Sequence, residues 1–97
     1  MAAYWIAHVT IHDMQQYQQY MQLAPAALQK YGAKFLARGG ESVCLEGKIF
    51  QRHVIIAFKD LATAQACYAS EEYTRARAAR ANCADVMISI VEGIGLD

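Results

Sequence analysis

The stretch AYWIAHVTI, residues 3–11, is the part of the sequence from which the fold follows most directly. Aromatic and β-branched residues fill it and it is short for a helix, so it predicts a strand. Successive side chains of a strand point to opposite faces of a sheet. One face here carries Trp5 with smaller apolar residues, and the other carries Tyr4, Ile6 and His8. We expect both faces to be covered, because a strand that meets water on one side alternates apolar and polar residues.

A helix is predicted to follow this strand. Asp13 stands at the N-cap position, and Gln16 stands three residues later at the capping-box position. Beyond them, apolar residues recur at three- and four-residue steps, which is typical of an amphipathic helix. Pro25 predicts a kink or a restart within this helix, and Gly32 predicts its end.

The second half of the chain continues with strand, helix and strand patterns. The first predicted element is a strand over 34–47 that bends or bulges at Gly39-Gly40, and a turn at 46–48 and a strand over 52–59 follow it. The remaining elements are a helix capped by Asp60, a helical segment capped by Ser70, and a last strand over 86–93. The first two of these strands are expected to form a hairpin. The order β-α-β-β-α-β predicts one α+β domain over residues 1–97 with a ferredoxin-like fold, in which a four-stranded antiparallel sheet carries both helices on one face.

The other face of that sheet needs a cover from outside the chain. Its strands are apolar on both sides, and soluble monomers rarely expose large apolar patches. A second copy packed sheet to sheet is the simplest cover, so we predict a homodimer. The residues assigned to its interface are Tyr4, Ile6, His8, Ile55, Ile88 and Ile90.

Composition narrows the classes of function. Nine basic and nine acidic residues leave no net charge, which argues against nucleic-acid binding and favours self-association. No apolar run approaches the roughly 18–20 residues that span a bilayer, and the N-terminus lacks a signal-peptide pattern. The three cysteines form no C-x-x-C pair, and the three histidines lack the spacing of a metal site. We therefore expect a cytoplasmic protein with reduced thiols and no metal or other cofactor.

Five residues are candidates for binding a small ligand, and none of them is assigned a catalytic role. They are His8, Tyr17, Arg38, Tyr68 and Arg80. Tyr17 and Tyr68 lie on the inward stripes of predicted helices, where a tyrosine ring packs in the core or lines a pocket. A bend at the glycine pair would turn Arg38 toward a pocket mouth or toward the partner subunit.

Arg80 lies on one helical face with Arg77. Two guanidinium groups on one face suit a carboxylate or a phosphate, because their geometry matches these groups bidentately. The alternative is a solvated face on which these arginines pair with Glu71, Glu72 or Asp85. The pattern favours this alternative.

Several stretches, taken in order along the chain, resemble the bacterial domain-of-unknown-function family thirteen-thirty within the dimeric α+β barrel superfamily. They include Ala24-Pro25, KYGAKFLARGGE (30–41), VIIAF (54–58), SEEY (70–73) with Arg80, and IVEG (90–93). The resemblance covers essentially the whole chain. It implies two ferredoxin-like subunits joined through their sheets into a barrel. It implies no catalytic residues, because the family has no established activity and a fold alone does not define a function.

Two interpretations of function stay open at this point. The first is a homodimer that binds a small organic ligand between helices and sheet, or that catalyses a cofactor-independent reaction with His8, a tyrosine hydroxyl and an arginine. The second is a non-enzymatic binding or assembly subunit whose main functional surface is the dimer interface. A cavity with convergent polar groups favours the first, and a filled core favours the second.

Overall fold

The chain folds in the predicted order, with its second helical region divided in two. The computed structural model describes residues 1–95. Its elements are β1 Ala3–Ile11, α1 Met14–Lys30, β2 Lys34–Arg38, β3 Arg52–Phe58, α2 Leu61–Ala69, α3 Glu71–Ala79 and β4 Ala84–Glu92. The four strands form one antiparallel sheet in the order β2-β3-β1-β4, so the ferredoxin-like prediction is confirmed. Within one chain this sheet is open and does not close into a barrel.

The helices cover one face of the sheet and bury the larger aromatic side chains there. Trp5 of β1 is 2% exposed and pairs with Ile56 of β3 on one side and with Ile90 of β4 on the other. Its ring lies 5.8 Å from the Phe58 ring and 5.1 Å from the Tyr73 ring, centroid to centroid. This alternation of β1 was expected from the sequence, and it places the core between the sheet and the helices.

The opposite face of the sheet, which we call the open face, has no helix on it. Tyr4, Ile6 and His8 of β1 lie on this face together with Ile55, which pairs with Ile6. All four side chains are half-buried rather than fully exposed. Within residues 1–95, no helix is long and apolar enough to span a bilayer.

Two residues assigned to the open face lie on the other side. The register pairs Ile88 with Ala7 and Ile90 with Trp5, and both isoleucines pack against the helix-covered core. Their placement at a dimer interface is therefore wrong, because the antiparallel register fixes which face of β4 meets the helices. On the open face β4 presents Met87, which pairs with His8 and is 54% exposed.

Helix α1 begins and ends with the predicted caps. The Asp13 carboxylate accepts a hydrogen bond from the backbone N–H of Gln16 at 3.1 Å. The Gln16 amide does not return to Asp13 and instead donates to the carbonyls of Ala79 and Ala81 at 3.2 and 2.9 Å, which ties α1 to the end of α3. The helix runs through Pro25 without a restart.

The end of α1 is a Schellman motif. Gly32 has a φ of +75° and donates to the carbonyl of Gln29 at 3.0 Å, while Ala33 donates to the carbonyl of Leu28 at 3.1 Å. The predicted stop at Gly32 is confirmed.

Strand β2 is shorter than the sequence predicts. Pairing with β3 shifts register between Phe35 and Ala37 and stops at Arg38. At Gly39, with a φ of +74°, the chain leaves the sheet, and residues 40–51 contain no strand. The prediction of a strand beyond the glycine pair is therefore wrong, whereas the predicted antiparallel pairing of β2 with β3 is confirmed. We call residues 40–49, which are exposed throughout, the arm.

Ser70 separates α2 from α3 and caps the second of them. Its buried hydroxyl accepts from the backbone N–H of Tyr73 at 3.1 Å and donates to the carbonyl of Cys67 at 2.7 Å. One side chain thus satisfies groups at the ends of two helices. The change in direction directs Tyr73 into the core and places Arg80 at the end of α3.

Replacing Ser70 with alanine tests this arrangement. We expect Ser70→Ala to lower the free energy of unfolding by about 1–2 kcal/mol, because it removes a cap and leaves the N–H of the buried residue Tyr73 without the hydroxyl that accepts from it. Ser42→Ala, in the exposed arm, is the control and should stay within about 0.5 kcal/mol of the parent protein. Urea unfolding followed by circular dichroism measures both. Equal stabilities for the two variants would contradict the assigned role of Ser70.

Candidate functional site

A pocket lies between α1 and the helix-covered face of the sheet. Its floor includes Trp5 and Ala7 of β1 and Ile56 of β3, and its roof includes Ala24 and Leu28 of α1. The cavity volume is about 50 Å³, which is space for a small polar group or a few water molecules. Ala7 and Ala24 are short side chains on facing elements, so helix and sheet leave this space between them.

Three arginines line this pocket together with two tyrosines, and we call it the arginine pocket. Arg38 ends β2 and pairs with Val54, while Arg52 begins β3 and pairs with Val9. These pairs place the two arginines on the helix-covered side of the sheet, in neighbouring rows of the register. Arg80 reaches the same pocket from the C-terminal end of α3. Three elements thus bring cationic groups to one end of an otherwise apolar recess.

Aromatic rings rather than acids contact the guanidinium groups of Arg38 and Arg80. Arg38 lies over the Phe35 ring at 4.2 Å from its centroid, and Arg80 lies over the Tyr20 ring at 4.9 Å. None of the three has a carboxylate partner in the part of the chain that the structure describes. Like charges in one pocket repel one another, so an anion there would be stabilised by all three.

The acids of the nearby helices pair elsewhere. Glu72 binds Lys30, Glu71 lies 3.5 Å from Arg75, and Asp85 lies 3.1 Å from His12. The predicted ion pairs of Arg77 and Arg80 with these acids are therefore wrong. Arg77 instead stacks on the Tyr68 ring at 4.3 Å and donates to its hydroxyl at 3.1 Å.

The tyrosines of the pocket keep their protons at neutral pH. Burial raises the pKa of Tyr17 to about 12, and the neighbouring Tyr20 adds to this effect. Burial also raises the pKa of Tyr20 and that of Tyr73, whose hydroxyls lie 2.6 Å apart. Because these hydroxyls keep their protons, they are suited to donate hydrogen bonds to an acceptor. They are not deprotonated near pH 7 and therefore do not act as bases there.

Gly39 gives Arg52 its position. A Cβ atom at residue 39 would lie 2.4 Å from a terminal guanidinium nitrogen of Arg52. The glycine N–H also donates to the carbonyl of His53 at 2.9 Å, which fixes the exit of the chain from β2. The glycine therefore serves both the left-handed turn and the close approach of the guanidinium group.

Three of the five predicted ligand residues meet in the arginine pocket, namely Tyr17, Arg38 and Arg80. Tyr68 does not line it, because its ring packs against Trp5 at 5.7 Å outside the cavity. His8 lies across the sheet on the open face, where its Nδ1 is 2.8 Å from Nδ1 of His53.

Sequence reasoning missed Arg52 and Tyr20, although each carried a signal. Arg52 alternates with Val54 and Ile56, which is the spacing of one strand face, and Tyr20 follows Tyr17 by one helical step.

Other reactive side chains do not form a second centre. Among residues 1–95, no group of three or more histidine, cysteine or acidic side chains is arranged to hold a metal ion. Cys67 is fully buried, and burial raises the pKa of its thiol to about 11. Such a thiol is a poor nucleophile at neutral pH.

Comparisons with known proteins agree on the fold. A family model described as "Domain of unknown function (DUF1330)" matches residues 2–94. A protein of unknown function from Rhodopseudomonas palustris has a similar structure, with a TM-score of 0.78, 13% identity, and coverage of 96% of this chain and 82% of that one. No curated protein sequence matches the chain significantly.

Two further solved structures are similar at low sequence identity. A dimeric ferredoxin-like protein of unknown function from Jannaschia sp. CCS1 has a TM-score of 0.71 and 11% identity, with 96% of this chain and 100% of that chain covered. SnoaB, a cofactor-independent oxygenase from Streptomyces nogalater, has a TM-score of 0.64 and 12% identity, with coverage of 95% and 92%. Identities this low show a shared fold and carry no activity over.

Alanine at residue 39 tests the link between the turn and Arg52. We expect Gly39→Ala to lower the free energy of unfolding by about 1–3 kcal/mol, because alanine is strained at positive φ and its methyl group displaces the guanidinium group. Gly40→Ala is the matched control, since a Cβ there meets nothing within 4 Å. Urea unfolding of the two variants provides the comparison. A Gly39→Ala protein as stable as Gly40→Ala would disprove this account.

Proposed function

The chain belongs to the Domain of unknown function (DUF1330) family, and we propose that this member binds a small organic anion in the arginine pocket. One observation carries the proposal: Arg38, Arg52 and Arg80 line a single apolar recess and have no carboxylate partner among residues 1–95. A guanidinium fork matches a carboxylate or a phosphate bidentately. The apolar floor around Trp5 suits the hydrocarbon part of such a ligand.

The pocket supports binding more strongly than acid–base catalysis. The catalytic version with His8 requires this imidazole beside the tyrosines and arginines, and the sheet separates it from them. The raised pKa of Tyr17, caused by burial, leaves its hydroxyl protonated near pH 7. A protonated hydroxyl donates a hydrogen bond to a ligand oxygen, so Tyr17 supports recognition in this proposal. The open cavity also supports a ligand-binding interpretation over a purely structural subunit.

We further propose that the protein is a homodimer that packs through its open face. The side chains on that face are largely apolar, and Met87 is more than half exposed in the single chain. Proteins of similar structure from Bacteroides fragilis and Thermobifida fusca are described as dimeric, at 12% and 18% identity. The cytoplasmic location stays a prediction, supported by the three unpaired thiols.

Matched acids and amides test the ligand proposal. We expect small carboxylates such as acetate to bind, and the corresponding amides such as acetamide not to bind, because the arginines recognise negative charge. Replacing Arg52 with glutamine should weaken binding roughly 10- to 100-fold, the range for a hydrogen bond to a charged group. Isothermal titration calorimetry or protein chemical-shift changes measure the affinity.

Arg75→Gln is the control for this experiment, because Arg75 is an exposed residue that pairs with Glu71 and lies outside the pocket. The affinity of this variant for acetate should equal that of the parent protein. Equal binding of acids and amides, or no binding of any acid in a panel of aliphatic and aromatic carboxylates and inorganic phosphate, would refute the proposal.

Aspartate at Met87 tests the homodimer. We expect sedimentation to report twice the chain mass for the parent protein, and Met87→Asp to weaken assembly at least about 10-fold by placing a charge in an apolar interface. Met14→Asp is the matched control, since Met14 is 50% exposed but lies at the start of α1. A parent protein that stays monomeric at high micromolar concentration would overturn this proposal.

A further inference from the structure

Three large apolar side chains of the arm, residues 40–49, are exposed to a high degree. Val43 is 77% exposed, Leu45 is 89% exposed and Ile49 is 76% exposed. The transfer of apolar side chains out of water is favourable. Contiguous exposed apolar patches therefore mark interaction surfaces.

The backbone of the arm is not tied to the rest of the described chain by hydrogen bonds. Within residues 1–95, no backbone hydrogen bond joins residues 40–50 to any other part of the chain. The Cys44 thiol makes weak contacts with three nearby carbonyls, at 3.6 to 3.9 Å. A segment whose backbone makes no hydrogen bonds to the rest of its own chain is able to pair with a strand of another chain.

Both ends of the arm are fixed to the sheet. At the start, the N–H of Gly39 donates to the carbonyl of His53. At the end, the Gln51 N–H donates to the Thr10 hydroxyl at 3.3 Å, and the Gln51 side chain accepts from the N–H of Ile11 at 3.0 Å. The arm is therefore a loop with two anchored ends, which limits the positions that it can take.

The second anchor places the arm beside the open face. Phe50 is 8% exposed, and its ring centroid lies 5.7 Å from that of His8 on the open face. Phe50 thus places the end of the arm next to the face that carries Ile6, Ile55 and Met87.

We infer that the arm is a dimerisation element that lies against a second copy of this chain and pairs its backbone with that copy. The inference rests on the proposed homodimer and names a part of its interface. A twofold dimer through the open face brings each arm near the partner, since the arm ends at Phe50, beside His8 on that face. Both acidic and basic side chains occur on the arm, Glu41, Glu46 and Lys48, which allows contact between two identical copies without a large charge repulsion.

A double substitution in the arm tests this inference. Val43→Ser combined with Leu45→Ser should raise the dimer dissociation constant about 100-fold, because a twofold interface loses two apolar side chains from each copy. Met14→Ser combined with Leu23→Ser is the control, since these residues are 50% and 42% exposed on α1, away from the arm. Analytical ultracentrifugation over a concentration series measures both constants, and far-UV circular dichroism checks that each variant is folded.

Amide hydrogen exchange provides a second measurement on the unmodified protein. The amides of residues 41–49 should exchange at least about 10-fold more slowly at concentrations where the dimer forms than under dilution to monomer. Protection that does not depend on concentration would show that the arm folds onto its own chain, and it would overturn the inference.

The outcomes separate this inference from the homodimer proposal. A parent protein that remains monomeric refutes both. A parent dimer with an unchanged dissociation constant in the arm variant, and with fast exchange in the arm, refutes the arm inference alone. A weakened dimer with concentration-dependent protection of the arm supports it.

Discussion

The structure depends on one central strand that is apolar on both faces. In a four-stranded sheet with the order β2-β3-β1-β4, β1 is an inner strand, and Trp5, Ala7 and Val9 form the floor of the core. The helices can cover only one side of such a sheet. The residues on the other side include Tyr4 and Ile6. They form an apolar surface, and its contact with another apolar surface is favourable because both are removed from water. The apolar side chains on the two faces of β1 thus contribute to the core on one side and to the proposed interface on the other.

The arginine pocket lies where small side chains leave part of the space between helix and sheet unfilled. Ala7 and Ala24 face each other across the helix–sheet contact, and the space between them is bordered at one end by guanidinium groups. A partly buried charge without a counterion is unfavourable unless something compensates it. In this chain aromatic rings contact Arg38 and Arg80, and in our proposal a bound anion supplies the negative charge. The arginines would then select ligands by their negative charge, and the apolar floor would contact the hydrocarbon part of the ligand.

The proposed pocket and the proposed interface meet at the ends of the arm. Arg38 precedes Gly39, where the arm leaves the sheet, and Arg52 follows Gln51, where it returns. Contacts that order the arm would also order the backbone that carries these two arginines. In the two proposals, assembly and ligand binding therefore depend on the same short stretch of chain.

The sequence by itself determined the element order, the caps at Asp13, Asp60 and Ser70, and the two apolar faces of β1, because these features depend on local spacing and on hydrogen bonds between near neighbours. It also indicated Tyr17, Arg38 and Arg80 as ligand candidates. Only the tertiary structure decided that Ile88 and Ile90 face the helices, since the register of an antiparallel pair is set by long-range contacts. It likewise decided that β2 stops at Arg38, because strand propensity in residues 41–47 forms no sheet without a neighbouring strand in the chain to accept its hydrogen bonds. The convergence of Arg52 with the other arginines, and the separation of His8 from them, follow from which face of the sheet each side chain occupies.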